Sequence, residues 1–147
     1  MAADRPGVAF QFPGQGSQAV GMGAALADAY PEARAAFQEA DAVLGFGLST
    51  ICWEGPEDRL RATQNAQPAI LAHSVAVIRV LAGRGVRPAW AAGHSLGEFS
   101  AHVAAGSVAY DDALRLVRAR GEAMAEAGRA SPGSMAAVLG LDEAGVD

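Results

Sequence analysis

A serine between two glycines is the side chain in this sequence best suited to nucleophilic chemistry. Residues 93–97 read GHSLG, which places Ser95 at the centre of a G-x-S-x-G pattern. A short apolar run, Ala89 to Ala92, precedes the pattern, and a helix-forming stretch, Leu96 to Ala105, follows it; this is the strand–turn–helix setting of a nucleophile elbow. The pattern alone also fits an N-cap serine in a glycine-bounded turn. Its context favours a nucleophile that attacks an acyl carbonyl.

Backbone N–H groups are the expected stabilisers of negative charge beside this serine. The N-terminus of the following helix carries free N–H groups and a positive dipole end, and the N–H of Leu96 is the first candidate donor. A second loop, PGQGSQ at residues 13–18, also follows a predicted strand. Loops after parallel strands gather at one sheet edge, so the N–H of Gln15 is a plausible second donor. A flexible turn, or a phosphate cradle without the Walker lysine, are the alternatives for this loop.

The proton acceptor for the serine is harder to find. The chain has three histidines. His94 adjoins Ser95, and neighbouring side chains at an elbow diverge; His102 lies about 10 Å further along a helix; His73 falls in an apolar helix and is predicted to be a packed core histidine. Either the chemistry needs no histidine, or the histidine lies outside this sequence.

The elements that must position these residues alternate between strands and helices. The apolar run Val8–Phe12 is predicted as a buried strand, and the run Ala89–Ala92 is predicted as a central strand. Helices are predicted from Val20 or Gly21, from Pro31 to Gly45, from Glu57 to Thr63, from Pro68 to Gly83, from Leu96 to Ala105, and from Asp111 or Asp112 to Ala127, with Gly45 to Gly55 irregular. On the last long helix, a stripe of Leu114, Val117, Gly121 and Met124 is expected to face the core. This order predicts an α/β fold with a parallel sheet.

The end of the chain predicts a second unit that is not completed. A loop at 131–133 leads to MAAVLGL at 135–141, a strand candidate, and Asp142-Glu143 suit the cap and first turn of a helix. The chain stops at Asp147. We therefore expect the sequence to be a truncated part of a larger protein.

Composition limits the classes of function. Apolar residues make up 51% of the chain and charged residues 18%, which predicts a globular domain. The single cysteine, Cys52, has no Cys or His at metal-ligand spacing, so a buried thiol and no metal site are expected. A net charge of −5 with scattered arginines does not favour nucleic-acid binding. No secretory leader and no apolar stretch of about 20 residues are evident, so we expect a cytoplasmic protein outside the membrane.

Five short motifs, in order along the chain, resemble a known family. They are FPGQGSQ at 12–18, VGMG at 20–23, QPA at 67–69, GHSLGE at 93–98 and LRLVRARGEAM at 114–124. Together they look like malonyl-CoA:acyl carrier protein transacylases and the acyltransferase domains of polyketide synthases. The early start at the first strand favours the free-standing enzyme of fatty acid synthesis.

The resemblance implies a ping-pong acyltransferase without a cofactor. Ser95 would take a malonyl group from coenzyme A and pass it to the phosphopantetheine thiol of acyl carrier protein. Gln15 and Leu96 map onto the backbone oxyanion donors of the family, and Arg120 maps onto the guanidinium that pairs with the free carboxylate of malonate. A planar guanidinium suits that carboxylate, although helical geometry does not separate Arg120 from Arg118. Gln67 maps onto the pocket lining.

The resemblance also implies where this chain departs from the family. The core is expected to resemble the α/β-hydrolase fold at residues 1–130, and residues 131–147 would open a ferredoxin-like subdomain. The family's catalytic histidine lies roughly a hundred residues after the serine, beyond Asp147, so the isolated chain is expected to be weak or inactive. A serine hydrolase or thioesterase on the same elbow, and a non-catalytic acyl-binding fragment, remain the alternatives.

Overall fold

The computed structural model describes residues 7–133 and Gly140, and over that part the chain is a mixed α/β structure with a small parallel sheet. Its elements are β1 (Ala9–Phe12), α1 (Ala24–Ala29), α2 (Pro31–Leu44), α3 (Leu48–Glu54), α4 (Glu57–Arg61), α5 (Thr63–Gly83), β2 (Trp90–Gly93), α6 (Gly97–Ala104) and α7 (Tyr110–Ala130). The strand predicted at 135–141 and the helix start at Asp142-Glu143 lie outside the described residues, apart from Gly140. The predicted division between 1–130 and 131–147 therefore stays a prediction.

The two strands pair in parallel, as the sequence predicted, and their carboxyl ends lie side by side. Ala9 is opposite Trp90, and Phe12 is opposite Gly93. The expectation that the first strand is buried is wrong for the described residues, since exposed and half-buried side chains alternate along β1. The same alternation occurs along β2, where Trp90 is 65% exposed, and the central position of β2 stays a prediction. Each strand has one hydrogen-bonded neighbour in this part of the chain, so its other edge is open.

The core is mainly helical and is centred on α5. This helix packs against both α2 and α7, which also contact each other. The fully buried side chains of these three helices include Phe37, Leu71, Leu114 and Val117. A core that depends on three long helices holds α5 and α7 in a fixed relation, and both helices contribute to the site described below.

Helix α5 begins five residues before its predicted start at Pro68. It has the length and composition of a membrane span, with a mean hydropathy of 1.3 over its most apolar 18 residues, but 61% of that window is buried inside the protein. The expectation that no stretch reaches this length therefore fails for α5. Burial of this kind is typical of a core helix in a globular domain.

A proline inside α5 is accommodated by a side chain from α7. Pro68 has no N–H to donate to the carbonyl of Gln64, one turn earlier. Arg118 Nη1 donates to that carbonyl at 3.0 Å and to Asn65 Oδ1 at 2.8 Å. The carbonyl that the proline leaves free is thus satisfied, and the helix continues through the proline to Thr63.

Helix α1 starts at Ala24, later than the predicted start at Val20 or Gly21. The reason is the backbone of the glycines before it, since Gly21 and Gly23 have φ of +92° and +78°. These values lie outside the right-handed helical region and are accessible to glycine at little cost. The residues from Val20 to Gly23 therefore form turns, and the helix begins only after them.

The segment predicted to be irregular, Gly45 to Gly55, contains helix α3. Leu48, Ile51 and Cys52 are buried at i, i+3 and i+4, which is the spacing of a helix face packed on a core. The carboxylate of Asp41 accepts the backbone N–H of Ser49 at 2.8 Å and its hydroxyl at 2.5 Å. Burial in the tertiary structure and this side-chain cap stabilise the helix. The glycines on either side of it had favoured the prediction of an irregular segment.

The last helix, α7, matches its prediction except at its ends and at one face residue. It begins at Tyr110 and runs to Ala130. Leu114, Val117 and Gly121 are buried as predicted, whereas Met124 is 37% exposed. Met124 lies at the edge of this contact, where its Sδ is 3.3 Å from Gln67 Nε2 of α5.

Candidate active site

Ser95 occupies a sharp turn between the end of β2 and the start of α6. Its φ is +52°, and no other non-glycine residue of the described chain has a positive φ. A side chain in this region is strained, and such strain persists where the surrounding structure imposes it, often at functional sites. The serine is exposed at the carboxyl edge of the sheet, so its hydroxyl is open to a ligand.

The two glycines of the pattern are needed because backbone segments cross where their side chains would be. A Cβ on Gly93 would overlap the carbonyl group of Gly97, and a Cβ on Gly97 would overlap the carbonyl of Phe12. Helix α6 therefore starts directly against the ends of β1 and β2. This close approach fixes the direction in which Ser95 leaves the sheet.

The loop at residues 13–18 lies against the serine turn. A Cβ on Gly14 would come within 2.7 Å of His94 Nδ1 and 2.8 Å of the His94 carbonyl, and the His94 N–H donates to the carbonyl of Phe12 at 3.1 Å. Within the described part of the chain, the N–H groups of Gln15 and Leu96 donate no hydrogen bond to another residue. Both remain available to an acceptor from outside the protein, such as a ligand oxygen.

Arg120 contacts the serine directly. Its Nη2 lies 3.1 Å from Ser95 Oγ, and its Nη1 donates to Gln67 Oε1 at 2.6 Å. Arg118 points elsewhere: its Nε pairs with Glu122 at 2.6 Å, and its guanidinium lies 5.0 Å from the ring centre of Phe46. The helical pattern left these two arginines undecided, and the fold places Arg120 at the serine.

A close helix crossing brings Arg120 to this position. A Cβ on Gly121 would lie 2.6 Å from Gln64 Cα and 2.8 Å from the Thr63 carbonyl. Only a residue without a side chain allows α7 to approach the first turn of α5 so closely. Arg120, the neighbour of Gly121, then reaches over α5 to the serine.

Two further residues of α5 complete a hydrogen-bonded chain around the site. Gln67 is fully buried, and its Nε2 donates to Thr63 Oγ1 at 2.9 Å and to Met124 Sδ at 3.3 Å. Thr63 Oγ1 donates to Gln15 Oε1 at 2.9 Å. Thr63 was not predicted as a site residue, because a helix predicted to start at Pro68 does not include the i, i+4 pair of Thr63 and Gln67.

The histidines do not contact Ser95 Oγ through a hydrogen bond anywhere in residues 7–133. His94 and His102 are exposed. His73 lies on α5, where burial lowers the pKa of its imidazole because desolvation disfavours the charged form. A proton acceptor for the serine is therefore not among the hydrogen-bonded neighbours that the described residues supply.

Neither a metal nor a reactive thiol is indicated near the serine. In the described ranges no three His, Cys, Asp or Glu side chains group closely enough to hold a metal ion. Cys52 is buried, and its pKa is raised from 9.0 to about 12 by desolvation and by the nearby Asp41 charge. A thiol that stays protonated is a poor nucleophile, so Ser95 is the more suitable nucleophile.

An apolar cavity in the described part of the chain lies away from the serine. It has a volume of about 420 Å³ and lies between β1 and α5, with Phe10, Phe12, Ile70, His73 and Leu81 among its lining residues. Neither Ser95 nor Arg120 borders it. The chemistry of the site therefore depends on the polar cluster at the sheet edge.

The chain is similar to known proteins along most of its length. Residues 9–144 match the acyl transferase domain family. A malonyl CoA-acyl carrier protein transacylase of Bacillus subtilis is 50% identical over 135 residues, which are 92% of this chain and 43% of that protein. The solved acyl-carrier-protein-S-malonyltransferase of Bartonella henselae has 51% identity and a TM-score of 0.78, over 80% of this chain and 39% of its own.

A third similar protein was solved with a partner. It is a malonyl-transacylase in complex with its type II polyketide synthase acyl-carrier protein, with 50% identity and a TM-score of 0.78, over 81% of this chain and 39% of that chain. The chain spans less than half the length of each of these relatives. The family match covers nearly all of its sequence, and the chain belongs to the acyl transferase domain family.

Proposed function

We propose that the protein containing this chain is a malonyl-CoA:acyl carrier protein transacylase of fatty acid biosynthesis. The observation that carries the proposal is the 3.1 Å contact between Arg120 Nη2 and Ser95 Oγ. It places a permanent positive charge beside a hydroxyl held in a strained, exposed turn. An acyl group that bears its own carboxylate is the substrate class this pair suits.

In the first half-reaction Ser95 is the nucleophile. Its Oγ attacks the thioester carbonyl of malonyl-CoA and loses its proton to a base, and the tetrahedral intermediate collapses to an ester as the coenzyme A thiolate leaves and is protonated. The N–H groups of Gln15 and Leu96, which have no acceptor among the described residues, would hold the oxyanion. Such preorganised donors are typically the largest single contribution to acyl transfer.

Arg120 would bind the free carboxylate of the malonyl group. That carboxylate carbon is two bonds from the attacked carbonyl carbon, so an ester on Ser95 Oγ keeps it within reach of a guanidinium 3.1 Å from the same oxygen. Gln67 holds Nη1 of the guanidinium and leaves Nη2 directed towards the serine. A charge-assisted hydrogen bond to a carboxylate is about twice as strong as a neutral one.

In the second half-reaction the phosphopantetheine thiol of an acyl carrier protein attacks the serine ester. The thiol carries away the malonyl group and Ser95 recovers its proton, so no redox or metal cofactor is needed. A similar transacylase was solved in complex with an acyl-carrier protein, which supports the choice of acceptor. We infer a cytoplasmic location from the same substrates.

In this proposal, the proton acceptor and the rest of the fold belong to the part of the enzyme that this chain does not span. We propose an α/β-hydrolase-like core with Ser95 on a nucleophile elbow, a ferredoxin-like subdomain that opens at residues 131–147, and a base histidine beyond residue 147. The three histidines of this chain lack a hydrogen bond to Ser95 Oγ in the described ranges, which supports a base from elsewhere. The isolated chain would then be weak or inactive.

The test is acyl labelling of the full-length protein with malonyl-CoA carrying an isotope in the malonyl group. The wild type should form one serine ester, and the carrier-protein thiol should then remove the label. Ser95→Ala should form none, while Ser107→Ala, an exposed serine after α6, should label normally. A wild type that takes up no label contradicts the proposal, and release of the label to water at a rate independent of carrier protein supports a hydrolase instead.

A further inference from the structure

We infer that Thr63 is a positioning residue that couples the oxyanion loop to the carboxylate-binding arginine. The inference rests on the proposed function and adds to it a residue outside the predicted site. Thr63 touches neither Ser95 nor Arg120 through a hydrogen bond. It is the second of five residues in a continuous series of hydrogen bonds that runs from Gln15 through Thr63, Gln67 and Arg120 to Ser95.

The arginine fixes the direction of the hydrogen bonds from Ser95 as far as Thr63, and the placement of Gln15 Oε1 gives the direction of the last one. A guanidinium can only donate, so the Gln67 side chain must present its oxygen to Arg120 and its NH₂ group to Thr63. The Thr63 oxygen therefore accepts from Gln67 Nε2 at 2.9 Å. Its single proton is left to donate to Gln15 Oε1 at 2.9 Å. One hydroxyl thus accepts on one side and donates on the other.

Burial makes the hydroxyl of Thr63 costly to lose. Gln67 is fully buried, and its other contact through Nε2 is Met124 Sδ at 3.3 Å, a weak acceptor. Without the Thr63 oxygen, a buried amide N–H lacks a good partner, which destabilises the observed orientation of the amide. The amide can recover a partner by rotating, and rotation withdraws the oxygen that holds Arg120 Nη1.

The hydrogen bonds from Gln15 to Ser95 join the two parts of the site that the proposed reaction uses. At one end, Thr63 holds the side chain of Gln15, whose backbone N–H is a proposed oxyanion donor. At the other end, Gln67 fixes Nη1 of Arg120 at 2.6 Å, so that Nη2 is directed at the serine. Misplacing a positioning group by about 1 Å can cost a hundredfold in rate. Thr63 therefore affects recognition of the substrate carboxylate more than transfer of an uncharged acyl group.

The test compares Thr63→Val, which keeps the shape but loses the hydroxyl, with Thr63→Ser, which keeps the hydroxyl. Thr50→Val is the matched control, since Thr50 lies on the exposed face of α3. In the full-length protein, Thr63→Val should lower kcat/KM for malonyl-CoA by about tenfold to a hundredfold. The ratio of malonyl to acetyl transfer should fall by about tenfold, because acetyl has no carboxylate for Arg120. Thr63→Ser should restore most of that ratio.

A second measurement separates this inference from the proposed function. Side-chain NMR signals of Gln67 Nε2 and Arg120 Nε should shift in Thr63→Val, should return towards wild type in Thr63→Ser and should stay unchanged in Thr50→Val. If the wild type transferred neither acyl group, the proposed function would fail and these signals alone would decide the inference. Unchanged signals in Thr63→Val, or an equal loss of malonyl and acetyl transfer, overturn it.

Discussion

Arg120 Nη2 lies 3.1 Å from Ser95 Oγ, although the two residues are separated by 25 positions in the sequence. One belongs to the middle of α7 and the other to the turn between β2 and α6. The contact requires the α5–α7 crossing at Gly121 and the turn imposed by the elbow glycines. A guanidinium at this position is the feature that separates a carboxylate-selective acyltransferase from a general serine esterase.

Replacing Arg120 should therefore change which acyl group the protein accepts. Arg120→Ala is expected to lower kcat/KM for malonyl-CoA by about 10²-fold to 10³-fold, because the substrate carboxylate loses its charged partner, with a much smaller effect on acetyl-CoA. Arg120→Lys should recover only part of the kcat/KM for malonyl-CoA, since an ammonium group cannot form a bidentate contact with a carboxylate. Steady-state rates with both thioesters measure the effect, and Arg115→Ala, on an exposed part of α7, is the control. Equal losses with both substrates would exclude carboxylate recognition by Arg120.

Arg118, two residues earlier, should act on stability and leave substrate choice unchanged. Arg118→Ala removes the donor to the Gln64 carbonyl and is expected to lower the free energy of unfolding by about 1–3 kcal/mol. The loss of unfolding free energy caused by Arg118→Ala should be smaller in a Pro68→Ala background, because alanine supplies the N–H that the helix otherwise lacks. A double-mutant cycle by urea denaturation measures this coupling. Strictly additive effects would show that Arg118 does not compensate for the proline.

The second glycine of the serine motif should not tolerate even a methyl group. Gly97→Ala places Cβ against the Phe12 carbonyl and should destabilise the protein by about 1–3 kcal/mol, as overpacking does elsewhere. Gly128→Ala is the matched control, because that glycine lies in α7 with open space around it; it should be neutral or stabilising by up to about 1 kcal/mol. Thermal unfolding compares the two, and similar melting temperatures would contradict the close approach of α6 to β1.

The buried thiol predicts a loss of stability in alkali. Burial and Asp41 raise the pKa of Cys52 from 9.0 to about 12, so the folded protein keeps a proton that the unfolded chain loses above pH 9. The stabilisation from the protonated thiol is complete below pH 9 and falls as the pH rises towards 12, by about 1 kcal/mol at pH 10. The difference in unfolding free energy between wild type and Cys52→Ala should shrink by that amount from pH 7 to pH 10. A difference that stays constant would argue against a protonated, buried thiol.

Features of the fold that have a local cause could be predicted from the amino-acid sequence. Pro31 and Gly45 mark the ends of α2, and the G-x-S-x-G pattern between an apolar run and helix-forming residues located the turn at Ser95. Parallel pairing followed from the order of strands and helices. These features depend on backbone preferences over a few neighbouring residues, which short sequence patterns record.

The remaining features of the fold and the site depend on contacts between residues that are distant in the sequence, so only the tertiary structure shows them. Helix α3 was not predicted, because glycines flank it and because burial and Asp41 stabilise it. Arg118 allows α5 to begin at Thr63, ahead of Pro68. The helical pattern could not choose between Arg118 and Arg120. The crossing of α5 and α7 made that choice, since it directs Arg118 to a free carbonyl and Arg120 to the serine.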